Sequence, residues 1–176
     1  ANKVHLEPWG LYVYPEVTKN KGTLKIETPV QNHTDQAVNL QVTHTLVDAA
    51  GKTVTKKTTK LNVPKNGKQT INNALEVRDP ELWNLDNPTL YTLQTTVTQD
   101  GKLVDQSSVR TGFCTSTFDP HKGFAPNGNW MKVKGVCLHH DAGVLGAAVY
   151  PEVWRRRLLH LNSMGVNDIR TSPNPH

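Results

Sequence analysis

Along residues 11–112 apolar and polar positions alternate with period two, in short runs separated by turn formers, the pattern of half-buried strands. Leu11-Tyr12-Val13-Tyr14 lies between Trp9-Gly10 and Pro15, and residues 23–30 run into the turn-forming Asn32-His33-Thr34-Asp35. Within residues 38–47, Val38, Leu40, Val42 and then Leu46 share one face. Residues 48–52 read as a hairpin turn, and residues 53–63 as a Thr-rich strand carrying lysines. Pro64-Lys65-Asn66-Gly67 offers a turn with Gly where positive φ is cheap, ahead of a strand over residues 68–75. Residues 89–99 and 102–112 flank Asp100-Gly101, the strongest hairpin signal in the chain.

Seven short strands at this spacing predict an immunoglobulin-like antiparallel β-sandwich over residues 1–112, without the Cys–Trp–Cys pattern of antibody domains. Residues 79–91 interrupt the rhythm. Pro80 and Pro88 set bends there, and Trp83 with Leu85 is expected to plug the end of the sandwich. Residues 113–130 read as a connector, with Asn127-Gly128 at a hairpin tip. The period then changes. A short apolar strand over residues 133–138 ends in His139-His140-Asp141. Pro151 suits a first helical turn, Trp154, Leu158, Leu161 and Met164 recur at helical spacing, and Gly165 ends the helix. A second strand, residues 166–170, closes with Arg170. Strand, helix, strand in this order is a βαβ unit. Parallel barrels place their chemistry at the carboxyl ends of the strands, which singles out His139, His140, Asp141 and Arg170.

Composition changes this picture little. Apolar residues form 36% of the 176, and no apolar run approaches the roughly 18 residues that cross a bilayer. No signal sequence opens the chain, and the compartment stays open. The net charge of +5 comes mostly from Lys52, Lys56, Lys57, Lys60, Lys65 and Lys68. These alternate with threonines rather than aromatics, as on a solvated hairpin face and unlike a nucleic-acid surface. Cys114 and Cys137 sit in or beside apolar runs and are expected as buried free thiols. Arg155-Arg156-Arg157 falls off the helix's apolar stripe and reads as a solvated face. Successive strand residues point to opposite faces, so His139 and His140 cannot share a metal while the strand continues, and no metal site is expected.

Four stretches carry a resemblance. Lys134-Gly135-Val136-Cys137-Leu138-His139-His140-Asp141, the closing Arg170-Thr171-Ser172-Pro173-Asn174-Pro175, and the segment from Leu82-Trp83 through Asp86-Asn87-Pro88 to Leu90-Tyr91 resemble glycoside hydrolase family 2, the β-galactosidase and β-glucuronidase family. Val4-His5-Leu6-Glu7-Pro8-Trp9-Gly10 is similar to the segment leaving that family's jelly-roll domain. The resemblance implies a mainly β chain: a sandwich over residues 1–112, then a connector and the first, incomplete βαβ piece of a (β/α)8 TIM barrel over residues 113–176. It implies that His139, Asp141 and Asn174 bind substrate and that Arg170 orients the nucleophilic glutamate. Pro173 stands where the family carries a His, which puts the particular glycoside in doubt.

Retaining glycosidases need two carboxylic acids about 5 to 5.5 Å apart. In this family both are glutamates on later barrel strands. Glu152 is the only carboxylate between Asp141 and Asp168, and it opens a helix. The parent is therefore expected to be a retaining β-galactosidase or related β-glycosidase, and this fragment alone to be inactive. No cofactor is implied, and a metal in the parent is left open. The implied partners are a β-glycoside carbohydrate and the remaining barrel and jelly-roll domain of the same polypeptide, with a homo-oligomer as an option and neither nucleic acid nor membrane. The alternative is a non-catalytic sandwich spacer or carbohydrate-binding module. A binding module would expose two or three aromatics on one face. Tyr12, Tyr14, Trp83 and Tyr91 are expected at strand ends or in core-like positions, which favours the spacer.

Overall fold

The structure, a computed structural model, describes residues 2–171. The chain divides into two compact units, Ala1–Thr115 and Ser116–His176. The first holds strands β1 (Val4–Leu6), β2 (Tyr12–Thr18), β3 (Lys21–Asn32), β4 (Val38–Val47), β5 (Thr53–Val63), β6 (Gly67–Arg78), β7 (Tyr91–Gln99) and β8 (Lys102–Thr111). They form two antiparallel sheets, as expected of an immunoglobulin-like sandwich. In one sheet β3 pairs with β6 from Lys21↔Arg78 to Asn32↔Gly67. On its other side β3 meets β1 at one end and β2 at the other. The second sheet has the order β5-β4-β7-β8. Alternation suggested seven strands beginning at Leu11; the eighth is β1, which lies ahead of the turn around Trp9 and Gly10.

Both sheets protect their edges. β2 runs through Pro15 to Thr18 instead of stopping there. It pairs only with β3, and an edge strand is where a sheet tolerates a proline. β5 is an edge of the other sheet and carries exposed Lys56, Lys57 and Lys60. Charge on an edge strand discourages pairing with a further strand. Asp100 and Gly101 take φ of 50° and 77° between Gln99 and Lys102, the double positive φ that a tight hairpin demands. In the turn before β6 the positive φ falls on Asn66, at 46°, and not on Gly67.

Alternation places Leu24, Ile26, Leu46, Leu75 and Leu93 in the core, where Phe113 joins them, fully buried. Phe113 meets Tyr91 edge-on, with centroids 5.3 Å apart. A Cβ on Gly22 would lie 2.8 Å from the Phe113 ring and 2.9 Å from Pro80 Cγ, so this glycine serves close approach. The plug at this end is Leu82, bridged to Phe113, rather than Trp83 with Leu85. Trp83 is half-buried and Leu85 is exposed. The aromatics also divide differently from the expectation: Tyr91 is buried, but Tyr12 and Tyr14 stand on the outer face of β2, about half exposed.

The inward face of β4 carries a polar residue between Val42 and Leu46. His44 is fully buried. Asn73 Nδ2 donates to His44 Nδ1 at 3.1 Å, so the neutral ring holds its proton on Nε2 and donates it to Thr28 Oγ1 at 2.9 Å. Asn73 is anchored in turn by Thr59 Oγ1, 3.0 Å from Nδ2. Burial, and secondly the charge of Lys57 across the β4–β5 ladder, lower the His44 pKa from 6.5 to about 4. A proton on Nδ1 would also face the Asn73 donor.

The second unit contains an antiparallel hairpin, β9 (Ser116–Asp119) and β10 (Gly123–Pro126). A turn at Asn127-Gly128 then returns the chain, and Met131 N–H donates to the Phe124 carbonyl at 2.9 Å. After it come β11 (Gly135–Leu138), helix α1 (Pro151–Ser163) and β12 (Asp168–Thr171). β11 and β12 are parallel, which completes the expected βαβ unit. Pro151 opens α1 and Gly165 follows its end at φ 82°. Gly165 N–H reaches the Asn162 carbonyl and Val166 N–H the Leu161 carbonyl, the two bonds of a Schellman stop. Cys137 is exposed and Cys114 half-buried, both as free thiols, so the expectation of two buried thiols fails. The strand carrying Cys137 is only four residues long, and its alternate positions are open to solvent.

Two outcomes follow for the first unit. The unfolded chain protonates His44 near 6.5 and the folded chain only near 4. Between these values the unfolded state binds more protons, so stability rises with pH. The contribution, about 3 kcal/mol, is complete above pH 6.5 and is lost as pH falls toward 4. Urea unfolding at pH 4 to 7 should show this slope, and His44→Gln should flatten it. Gly22→Ala should destabilise the unit by about 1 to 3 kcal/mol in the same assay, through its clash with Phe113 and Pro80.

Candidate functional site

The parallel register sets Cys137 beside Arg170 and Leu138 beside Thr171. His139 and Asp141 follow the carboxyl end of β11, and Arg170 lies in the last pair before the carboxyl end of β12. The structure thus brings three of the four expected site residues to one edge of one unit, while Asn174 and Pro173 lie outside the described residues. Val136, Leu138 and Ile169 occupy the half-buried positions of the two strands, and Cys137 and Arg170 the exposed ones. His139 and Asp141 are exposed as well. Arg170 makes no ion pair among the described residues. Asp168, by contrast, pairs with Gly135 at the amino ends of the strands. A strand rises about 3.3 Å per residue, so Asp168 and the Asp141 edge are separated by roughly 10 Å or more. Among the described residues no three His, Cys, Asp or Glu side chains gather into a metal-binding group.

Two side chains that sequence reasoning missed hold this strand pair in shape, one at each end. Arg157 Nη1 donates to the Asp141 carbonyl at 2.8 Å, and its guanidinium lies 5.2 Å from the centre of the Trp154 ring. It is half-buried, unlike Arg155 and Arg156, so the solvated-face reading of the arginine run fails at this position. Beyond Asp141 a 3-10 turn, Gly143–Leu145, is closed by Ala142 N–H to the Gly146 carbonyl at 3.0 Å. At the opposite end of the strands Asn167 acts as a clamp. Its Oδ1 accepts from Lys134 N–H at 2.8 Å, its Nδ2 donates to the Lys132 carbonyl at 3.0 Å, and its N–H donates to the Lys134 carbonyl at 3.1 Å. These contacts fix where β12 begins against the segment entering β11. An Asn directly before a strand was the one available signal for the clamp. An arginine bonding to a loop sixteen residues earlier left none.

A family model described as Glycosyl hydrolases family 2 matches residues 4–113. Beta-galactosidase BoGH2A of Bacteroides ovatus is 38% identical over 174 residues, covering 98% of this chain and 20% of its own length. A putative beta-glucuronidase of Formosa agariphila is 30% identical over 175 residues, 99% of this chain and 16% of its own length. Among solved structures, a glycosyl hydrolase family 2 member from Bacteroides cellulosilyticus superposes with a TM-score of 0.92 at 33% identity, over 99% of this chain and 23% of that one. Bacteroides uniformis beta-glucuronidase superposes with a TM-score of 0.91 at 31% identity, over 99% and 22%. The chain belongs to glycoside hydrolase family 2. It spans about a fifth of the length of these relatives.

Arg157→Ala should free the Asp141 loop while leaving the helix intact. Amide hydrogen exchange at residues 142–146 is expected to quicken about fivefold or more, the loss of roughly 1 kcal/mol of hydrogen bonding. Unchanged exchange there would remove the positioning role.

Proposed function

We propose that the parent polypeptide is a retaining β-glycosidase, most simply a β-galactosidase, and that this chain supplies its supporting sandwich and the opening of its catalytic barrel. In this reading residues 1–112 are the sandwich domain, and residues 113–176 are the connector and first βαβ unit. The observation that carries the reading is the gathering of His139, Asp141 and Arg170 at the carboxyl edge of a parallel strand pair in a family 2 chain. The Asp141 carboxylate can accept hydrogen bonds from two adjacent sugar hydroxyls, with His139 beside it as a further partner. Arg170 carries a fixed positive charge, suited to keeping a neighbouring glutamate ionised and aimed at the anomeric carbon. Asn174 is proposed as a further sugar contact.

The two carboxylic acids of the reaction are proposed to lie outside these residues. Asp141 and Asp168 stand at opposite ends of the strand pair, roughly 10 Å or more apart and beyond the spacing retention requires, and Glu152 belongs to the first turn of the crossover helix α1, which supports that reading. A carbohydrate-binding role for the sandwich is favoured separately by the exposed Tyr12 and Tyr14.

A panel of chromogenic β-glycosides, run on the parent and on the 176-residue chain, tests this reading. The parent should cleave β-galactosides and the chain nothing. Asp141→Ala in the parent should lower kcat/KM by about 10²- to 10³-fold, the loss of roughly 3 to 4 kcal/mol of transition-state stabilisation. A parent inert on every glycoside would overturn the proposal.

A further inference from the structure

The most exposed aromatic of the first unit occupies a costly backbone position. Trp9 is 98% exposed and sits at φ 59°, a region that residues with a Cβ enter only under strain. The turn that holds it is tied down. Glu7 N–H donates to the Pro29 carbonyl and Gly10 N–H to the Glu7 carbonyl, each at 3.0 Å. A Cβ on Gly10 would strike Pro29 Cγ at 2.7 Å. The fold therefore spends backbone strain on an indole that buries almost no surface within it.

Tyr12 and Tyr14 follow on the outer face of β2, with nearly parallel rings whose centroids are 6.4 Å apart. The register places Glu27 beside Tyr12 and Lys25 beside Tyr14. A surface cleft of about 380 Å³ opens here, lined by Glu7, Trp9, Tyr12, Glu27, Lys68 and Thr70 among others. Lys68 forms an ion pair with Glu7.

We propose that this cleft is a saccharide-binding site on the sandwich. Its ligand class rests on the glycosidase reading of the parent. A pyranose ring has a flat C–H face that lies against an aromatic ring, and a rim of hydroxyls that both donate and accept. Trp9 and Tyr12 provide the platform, Glu27 accepts, Lys68 donates, and Thr70 does either. The centre of a protein–protein contact is depleted in charged side chains, whereas here two carboxylates and an ammonium share the cleft with the aromatic rings.

The test is an NMR titration of the 176-residue chain with cellohexaose and with β-1,4-linked galactohexaose, following the indole N–H signals of its four tryptophans. One of these sugars should shift the Trp9 signal saturably. Trp9→Gly relieves the strained φ and leaves the fold intact, yet should weaken binding about tenfold or more. Tyr12→Ala should weaken it independently. A Trp9 signal that stays still at millimolar sugar, or binding that survives Trp9→Gly, would overturn the proposal. So would a Trp9 shielded from acrylamide quenching in the unliganded parent, since protein would then cover the cleft. Hydrolysis is read separately: a parent that cleaves glycosides while Trp9 stays silent refutes the cleft alone.

Discussion

Parallel pairing of β11 with β12 is the constraint on which the candidate site depends. Two parallel strands cannot be joined by a tight turn, so the chain must cross back over their length, and α1 makes that crossing. Both strands then finish at the same edge. Residues far apart in sequence, His139 and Asp141 on one side and Arg170 on the other, come together without any contact between their side chains having to arrange it. The Asn167 clamp and the Schellman stop at Gly165 define where the second strand starts, and the register follows.

The sandwich solves a different problem. Its faces are buried by alternation, but one inward position of β4 is a histidine, and a buried polar ring is tolerable only with its hydrogen bonds made. Thr28, Asn73 and Thr59 supply them from other strands, so the network couples both sheets and fixes the neutral tautomer. Elsewhere on the same unit, Pro15 and the β5 lysines limit what the open edges can pair with.

Much of this was legible because local chemistry and the global fold agree. Asp100-Gly101, Pro151, Gly165 and the change of period near residue 133 each name their own structure. Features that depend on distant partners were not legible. The gap at position 44 in an apolar face gave no hint of Thr28 or Asn73. A run of three arginines reads as solvated unless the Asp141 carbonyl is known to lie within reach of the third. Trp9-Gly10 was visible as a boundary, but nothing local said that the chain resumes along the same neighbour, or that the indole faces outward. At the site, the edge to which His139, Asp141 and Arg170 belong was readable from strand polarity, whereas the residues that hold it in shape were not.

Contact between the sugar and the carboxyl edge of the β11–β12 pair is the central proposal. Its most direct test is a crystal structure of the full polypeptide trapped with a cyclophellitol-type β-glycoside inhibitor. The expected result is a labelled glutamate with the Arg170 guanidinium within about 3.2 Å of it, and the Asp141 carboxylate on sugar hydroxyls. A labelled enzyme in which neither Arg170 nor Asp141 approaches the inhibitor would contradict it.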